Sequence, residues 1–357
     1  MPDRPLAIDA MGGDKAPAAI VGGVKESLKY NPTMRFVLFG DEPQLKPLMQ
    51  KFKLSEEQCR IVHTPDYISN DEKPSLALRK GKNSSMRLAI ESVKAGECSA
   101  VVSAGNTGAL MAMSKLVYKT LPGIHRPAII AFFPAIDHKI VMLDLGANIQ
   151  CGARELIQFA YMGDAFAKTV LGLKHPRIGI LNVGSEEEKG HEELKVTAQA
   201  LREPHCPLNF SGYVEGHDIV DGHVDVVVSD GFTGNIALKT AEGTGKLIRH
   251  MIKETMQNSI WAKMGFLLAT PAFVALKRKL DPRSYNGAMF IGLNGITVKS
   301  HGGADAKSFA NAIDVAVKLV EQDINRCIID ELTQTGLSVA ASEPVMPQPD
   351  FVSESIN

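Results

Sequence analysis

The chain predicts an α/β fold built on a mainly parallel sheet, with helices on both faces and some antiparallel pairing. Three observations point there. Short apolar runs alternate with stretches of helical periodicity, the signature of βαβ units. Most of these runs end in a turn rich in Gly, Asn and Asp. Two runs also follow one another too closely for a helix to intervene, which predicts a hairpin.

Leu6–Ala10 opens the pattern as a strand, and a helix over Ala16–Tyr30 follows it. Strand Arg35–Phe39 with helix Glu42–Phe52 repeats the unit. Strands Arg60–His63 and Ala100–Ser103 are followed by helical patterns over Met86–Ala95 and Gly108–Tyr118 respectively. Ala128–Phe133 and Ile140–Leu145 are the close pair, separated only by the turn from Pro134 to Lys139. Helix Arg154–Leu171, strand Arg177–Asn182, helix His191–Leu201 and strand Asp225–Ser229 complete the first part. A long helix is then expected from near Asn235 to about Asn258. Beyond it an uncharged stretch, Met264 to Leu276, is interrupted by Pro271, predicting a helical hairpin at about 257–280. Strands Met289–Leu293 and Ile296–Lys299 and a last helix from Ala306 to about Leu332 close one domain, residues 1–337. The tail, 338–357, rich in proline, serine and acidic residues, is expected to be disordered.

Composition narrows the function. Lys+Arg 39 against Asp+Glu 40 leaves almost no net charge, so nucleic-acid binding through a general basic surface is not expected. The five cysteines (Cys59, Cys98, Cys151, Cys206, Cys327) form no CxxC pair, which argues against a zinc site or disulfide framework and for a reducing cytoplasm. The first residues lack the apolar core of a signal peptide, and no apolar run reaches the roughly 18 residues of a membrane span. A soluble protein is expected.

Five loops carry the chemistry: Asp9–Asp14, Ser103–Gly108, Asp144–Asn148, Asn182–Ser185 and Ser229–Asn235. In α/β sheets ligands bind outside the carboxyl ends of strands, where such loops gather. Glycine lets the backbone approach an anion, and the helix that follows aims free N–H groups at it. Five such loops predict a polar, anion-accepting cleft and hence an enzyme.

Taken together, Ile8–Pro17, Ser103–Leu110, Leu143–Asn148, Asn182–Gly190, Ser229–Lys239, Gly292–Gly295 and Lys299–Asp305 resemble one family in order, from about Leu6 to Leu332. The family is the bacterial phosphate acyltransferases, the acyl-acyl-carrier-protein:phosphate transacylases of phospholipid synthesis. The resemblance implies a Rossmann-like α/β/α sandwich. It also implies transfer of a long fatty acyl chain from acylated acyl carrier protein to inorganic phosphate, giving an acyl phosphate for a membrane glycerol-3-phosphate acyltransferase. Homodimers, peripheral attachment to the inner face of the cell membrane, and no cofactor are implied with it.

Phosphate is itself a nucleophile, so positioning and electrostatic stabilisation suffice, and no GxSxG elbow is present. Lys189 is the first catalytic candidate, as a partner for phosphate or the thioester oxygen. The plainer reading is a solvated lysine paired with Glu186–Glu188. Asn235 is the second, donating from the first turn of the long helix, unless it is simply the N-cap. His301 ranks third, as an acid for the departing thiol or a phosphate donor, since a lone histidine is more often structural. Ser103, Gly105, Asn106, Thr107 and Gly108 form a candidate phosphate cradle or else an unliganded strand–helix turn. Asp9, Gly12, Gly13 and Asp14 are expected to shape the same cleft, the carboxylates orienting backbone or lysine groups; no metal is expected. Asn148, Asn182, Gly184, Asp230 and Gly231 complete the binding set, with Asp230 orienting a donor or closing the turn.

The apolar hairpin reads as buried core, as dimer contact or as interfacial anchor. Trp261, Phe266, Leu267, Leu268 and Phe273 would meet the membrane, and Lys263, Lys277, Arg278, Lys279 and Arg283 would meet lipid or the acidic carrier protein. Three rivals remain. One is a short-chain acyl-CoA phosphotransacetylase on the same fold. Another is a metal-dependent dehydrogenase of the isocitrate-dehydrogenase kind, for which carboxylate trio and adenine loop are missing. The last is a non-catalytic lipid-binding, membrane-associated protein.

Overall fold

A computed structural model describes residues 4–136, 138–257, 268–271 and 286–334. The expected anchor and carrier-contact residues other than Leu268, and the tail, lie outside the described residues. Eleven strands form one sheet: β1 (Leu6–Asp9), β2 (Phe36–Gly40), β3 (Cys59–His63), β4 (Ala100–Ser103), β5 (Ala128–Pro134), β6 (Lys139–Leu143), β7 (Arg177–Leu181), β8 (Asn209–Val214), β9 (Val226–Val228), β10 (Ala288–Ile291) and β11 (Ile296–Lys299). Their order is β3-β2-β1-β4-β11-β10-β5-β6-β9-β7-β8. β1 shows why these runs are central strands. Leu6 and Ile8 belong to the core on one face and Ala7 to the core on the other, the two-residue alternation of a strand covered on both sides.

One core packs under α1 (Ala18–Tyr30), α2 (Glu42–Phe52), α6 (Ala153–Phe166), α7 (Glu192–Arg202), α10 (Ala306–Glu321) and α11 (Ile324–Gln334). The other packs under α3 (Pro74–Lys80), α4 (Ser85–Lys94), α5 (Thr107–Tyr118) and the first turns of α9 (Gly231–Gln257). A short α8 (Asp218–Asp221) precedes β9. The architecture is the expected sandwich. The hairpin is also present, with Pro134 opposite Lys139 in the β5–β6 ladder and Ala135 N–H donating to the His138 carbonyl at 3.0 Å.

Five elements depart from expectation, two of them the short helices α3 and α8, which the sequence reading does not anticipate. β8 carries Gly212 at φ +103° with a register shift against β7, and as an edge strand it lacks regular apolar alternation. The last helix is two helices, broken where Asp323 takes φ +48°; α11 thereby turns Ile324, Ile328 and Leu332 back into the core. α9 begins at Gly231 rather than near Asn235, because Asp230 accepts from the Thr233 N–H (2.8 Å) and hydroxyl (2.9 Å) and so caps the helix.

Strand direction decides where ligands can gather. β3, β2, β1, β4 and β11 run parallel to one another. β10 is antiparallel to both β11 and β5, and β5 is antiparallel to β6. β6, β9, β7 and β8 then run parallel. The two parallel blocks therefore run antiparallel to each other, and each gathers its own loops at its carboxyl ends. The loops expected to line one cleft form two clusters, joined by α9.

Candidate active site

At the first cluster, the loops after β1, β4 and β11 converge. Asp9 is buried at the end of β1, and its Oδ1 and Oδ2 accept from the Ser85 and Ser103 hydroxyls, both at 2.6 Å. The N–H groups of Met11 and Gly12 also donate to it. Burial raises the Asp9 carboxyl above its usual range, and these donors oppose the rise. Asp9 is thus a brace between β1, β4 and the start of α4. Gly12 is required by the closeness of this brace, since a Cβ there would lie 2.5 Å from Asp9 Oδ2 and 2.7 Å from the Gly105 nitrogen. Ser103 Oγ also accepts from the Gly105 N–H (3.0 Å). Asp14 N–H donates to the Gly302 carbonyl (2.9 Å), which ties the β1 and β11 loops together, and its carboxylate accepts from the Asn70 amide (2.5 Å) of the loop after β3.

Asn106 caps α5, accepting from the Ala109 N–H (3.0 Å) while its amide donates to the carbonyls of Asn70 and Glu72, both at 2.8 Å. Its side chain holds the 69–72 loop, so what the cradle offers an anion is the exposed backbone of Thr107 and Gly108 at the helix start. His301 Nδ1 accepts from the Gly303 N–H at 3.1 Å.

At the second cluster, Asp144 organises the loop after β6. It accepts from the N–H groups of Ile129, Ala147 and Asn148 at 2.9, 3.0 and 2.7 Å, and from the Asn148 amide at 2.9 Å. The Gly231 N–H donates to the Asn148 carbonyl (2.8 Å), joining this loop to the start of α9. Asn235 stands exposed in the second turn of α9, beside Gly146, where a Cβ would lie 3.6 Å from the Asn235 Cγ. In the loop after β7 the Asn182 amide donates to the Lys189 carbonyl (3.1 Å), and Lys189 Nζ is 2.7 Å from Glu186 Oε1. Gly184 leaves room for this fold-back, since a Cβ there would collide with the Lys189 side chain. Lys189 and Glu186 are about half exposed, at 49% and 54%, so the pair is weak and free to exchange Glu186 for a substrate. Glu186 raises the Lys189 ammonium pKa, keeping it cationic.

α9 links the two clusters. From Asn235 it rises only roughly 6 Å to Lys239, whose charge reaches the first cluster. The charges of Glu242, Lys239 and Lys246 act on His301, and Lys239 acts on Lys299. Burial lowers the His301 pKa; Glu242 opposes this, while Lys299, Lys239 and Lys246 reinforce it. The balance favours the neutral imidazole.

Two residues at the first cluster were missed from the sequence. Ser85 gives no signal, since its contact with Asp9 spans 76 residues. Lys299 does: it is a lysine closing the β-branched run Ile296–Val298 beside a Ser-His-Gly-Gly turn, and it is 8% exposed. Its Nζ donates to the carbonyls of Ala104 (3.4 Å) and Ser300. Burial depresses its pKa to about 8 against the opposing pull of Asp9 and Asp14.

Residues 5–327 match the family model described as "Fatty acid synthesis protein". The chain is 55% identical over 341 residues to the phosphate acyltransferase of Rhodospirillum centenum, covering 95% of this chain and 96% of that protein. It is 54% identical over 320 residues to the phosphate acyltransferase of Paramagnetospirillum magneticum, covering 90% and 91%. Among solved structures, a phosphotransacetylase from Streptococcus pyogenes shares the fold with a TM-score of 0.60 at 16% identity, over 89% of this chain and 94% of that one. The chain is an acyltransferase and belongs to the fatty acid synthesis protein family, among relatives named phosphate acyltransferase.

Proposed function

We propose that the protein transfers a long-chain fatty acyl group from acylated acyl carrier protein to inorganic phosphate, supplying acyl phosphate for glycerol 3-phosphate acylation in phospholipid synthesis. The observation that carries the reading is the identity of half or more of the residues with proteins named phosphate acyltransferase, over nearly the whole chain. Phosphate attacks the thioester directly, without a covalent acyl-enzyme. Cys151 is the thiol nearest the second cluster, where its Sγ lies 3.9 Å from the Asn148 carbonyl. Burial, then the Asp144 charge, pushes that thiol up to about 12, so it is a poor nucleophile at neutral pH. Lys189 and Asn235 stabilise the charge developing on the thioester oxygen, and the neutral His301 serves as a hydrogen-bonding partner.

A homodimer is part of the proposal. Beyond its first turns α9 leaves the sheet, exposing Leu247, Ile248 and Met251 at 57%, 48% and 56%. An apolar stripe on a projecting helix is a contact surface. Among the described residues no helix is long and apolar enough to cross a membrane. Attachment to the membrane surface and carrier-protein docking are assigned to Trp261, Lys263, Phe266, Leu267, Leu268, Phe273, Lys277, Arg278, Lys279 and Arg283, and of these only Leu268, 83% exposed, is among the described residues.

The test is phosphate-dependent release of thiol from palmitoyl-acyl carrier protein, with palmitoyl phosphate identified by mass spectrometry. Release from acetyl-CoA but not from the carrier protein would favour the short-chain phosphotransacetylase. Silence with both donors would leave the lipid-binding reading.

A further inference from the structure

We propose that Lys299 is the anion-positioning residue of the first cluster, holding the free phosphate that attacks the thioester. This deepens the acyl-transfer reading above and rests on it.

Four observations support a phosphate there. Lys299 ends β11 with its Cα paired to Ser103 of β4, so its head group lies where the loops after β1, β4 and β11 meet. Its polar partners among the described residues are two neutral carbonyls, those of Ala104 and Ser300. The carboxylates nearby are committed elsewhere: Asp9 to Ser85, Ser103, Met11 and Gly12, and Asp14 to Asn70. They lower the cost of the buried charge without capping it. The same cluster presents the start of α5, with Thr107 and Gly108 exposed, and feels Lys239 of α9.

A buried ammonium without an ion pair is costly to desolvate. A residue present only for packing would be apolar. An arriving oxyanion restores the missing countercharge, and three of the four oxygens of inorganic phosphate suit one ammonium and a pair of helix-terminal N–H groups, leaving the fourth to attack. The same chemistry is carried by the phosphodiester of a pantetheine arm, but that group presents only two unesterified oxygens, and free phosphate is the better fit.

The experiment uses the full chain with Lys299→Met, Lys299→Gln and Lys299→Arg. Inorganic phosphate and the methyl phosphodiester of phosphopantetheine are titrated separately, and each is followed by melting temperature and calorimetry. Phosphate is expected to raise the melting temperature of the native protein, and this response is lost in Lys299→Met and partly restored in Lys299→Arg. Without phosphate, Lys299→Met melts no lower than the native protein, because an uncompensated charge has been removed. In turnover, Lys299→Met raises the KM for phosphate at least tenfold and leaves the KM for the acyl donor within about twofold. Lys299→Gln, which keeps donors for both carbonyls, decides the matter if methionine does not fold. Phosphate binding equal to native in the neutral variants overturns the proposal, as does a native protein indifferent to phosphate. Loss of the phosphodiester response alone overturns it in favour of the donor arm. Lysine-dependent phosphate binding without acyl transfer supports Lys299 and sinks the proposed reaction instead.

Discussion

The residues at the two clusters divide into braces and reagents. Asp9, Asp144, Asn106 and Asn148 have their oxygens or amides occupied by protein partners, so they fix loops. Lys189 and Asn235 are exposed and lightly held. Replacing either with alanine should lower turnover at least a hundredfold, the scale on which single oxyanion-stabilising donors act. The melting temperature should move by no more than about a degree, since an exposed pair such as Lys189–Glu186 contributes little. Steady-state kinetics beside a thermal melt checks both. Cys151→Ser should keep turnover within about twofold, with no acyl adduct in intact-protein mass spectra after incubation with donor alone. A trapped adduct would end the direct-attack mechanism.

Elements owe their ends to a few caps. Asp230 caps α9 through Thr233, and its replacement by alanine should cost about 1 kcal/mol, read from urea unfolding. The same change should depress activity by loosening the turn that carries Asn235. At the other sign, Lys53 closes α2 in the left-handed region (φ +52°), and Lys53→Gly should stabilise by roughly 1 kcal/mol. Strands with uniform burial were legible almost to the residue: Ala100–Ser103 and Ile296–Lys299 coincide with β4 and β11. What resisted reading depended on distant contacts. β8 borrows its order from β7, and the α10–α11 break has neither glycine nor proline to announce it.

For the molecule as a whole, the C-terminal helix docks through charges as well as apolar residues. Lys168 Nζ lies 2.5 Å from Asp164 and 2.9 Å from Glu331 of α11. Burial raises Glu331 to about 7; Lys168 opposes this and Asp164 adds to it. The native state therefore holds a proton that the unfolded chain releases at lower pH, and stability should fall as pH rises from about 4.5 to about 7. Glu331→Gln should flatten that part of the melting-temperature profile; an unchanged slope would assign it to other groups. Association is the second test at this scale. Ile248→Glu should shift the sedimentation coefficient from dimer to monomer, because a charge would have to be buried in the contact.

The sequence by itself determined the fold class, ten of the eleven strands and the identity of the polar loops, because these follow from local periodicity, turn chemistry and motif order. Tertiary structure alone decided that the loops form two clusters. Strand direction is set by pairing between residues far apart, and the antiparallel β10 and β5 reverse one block against the other. It also decided which side chains are spent on the scaffold. An aspartate in a glycine turn reads as a ligand until its oxygens are seen to be taken. Lys299 stayed hidden for the opposite reason: a lysine closing a strand looks solvated until neighbouring loops close over it.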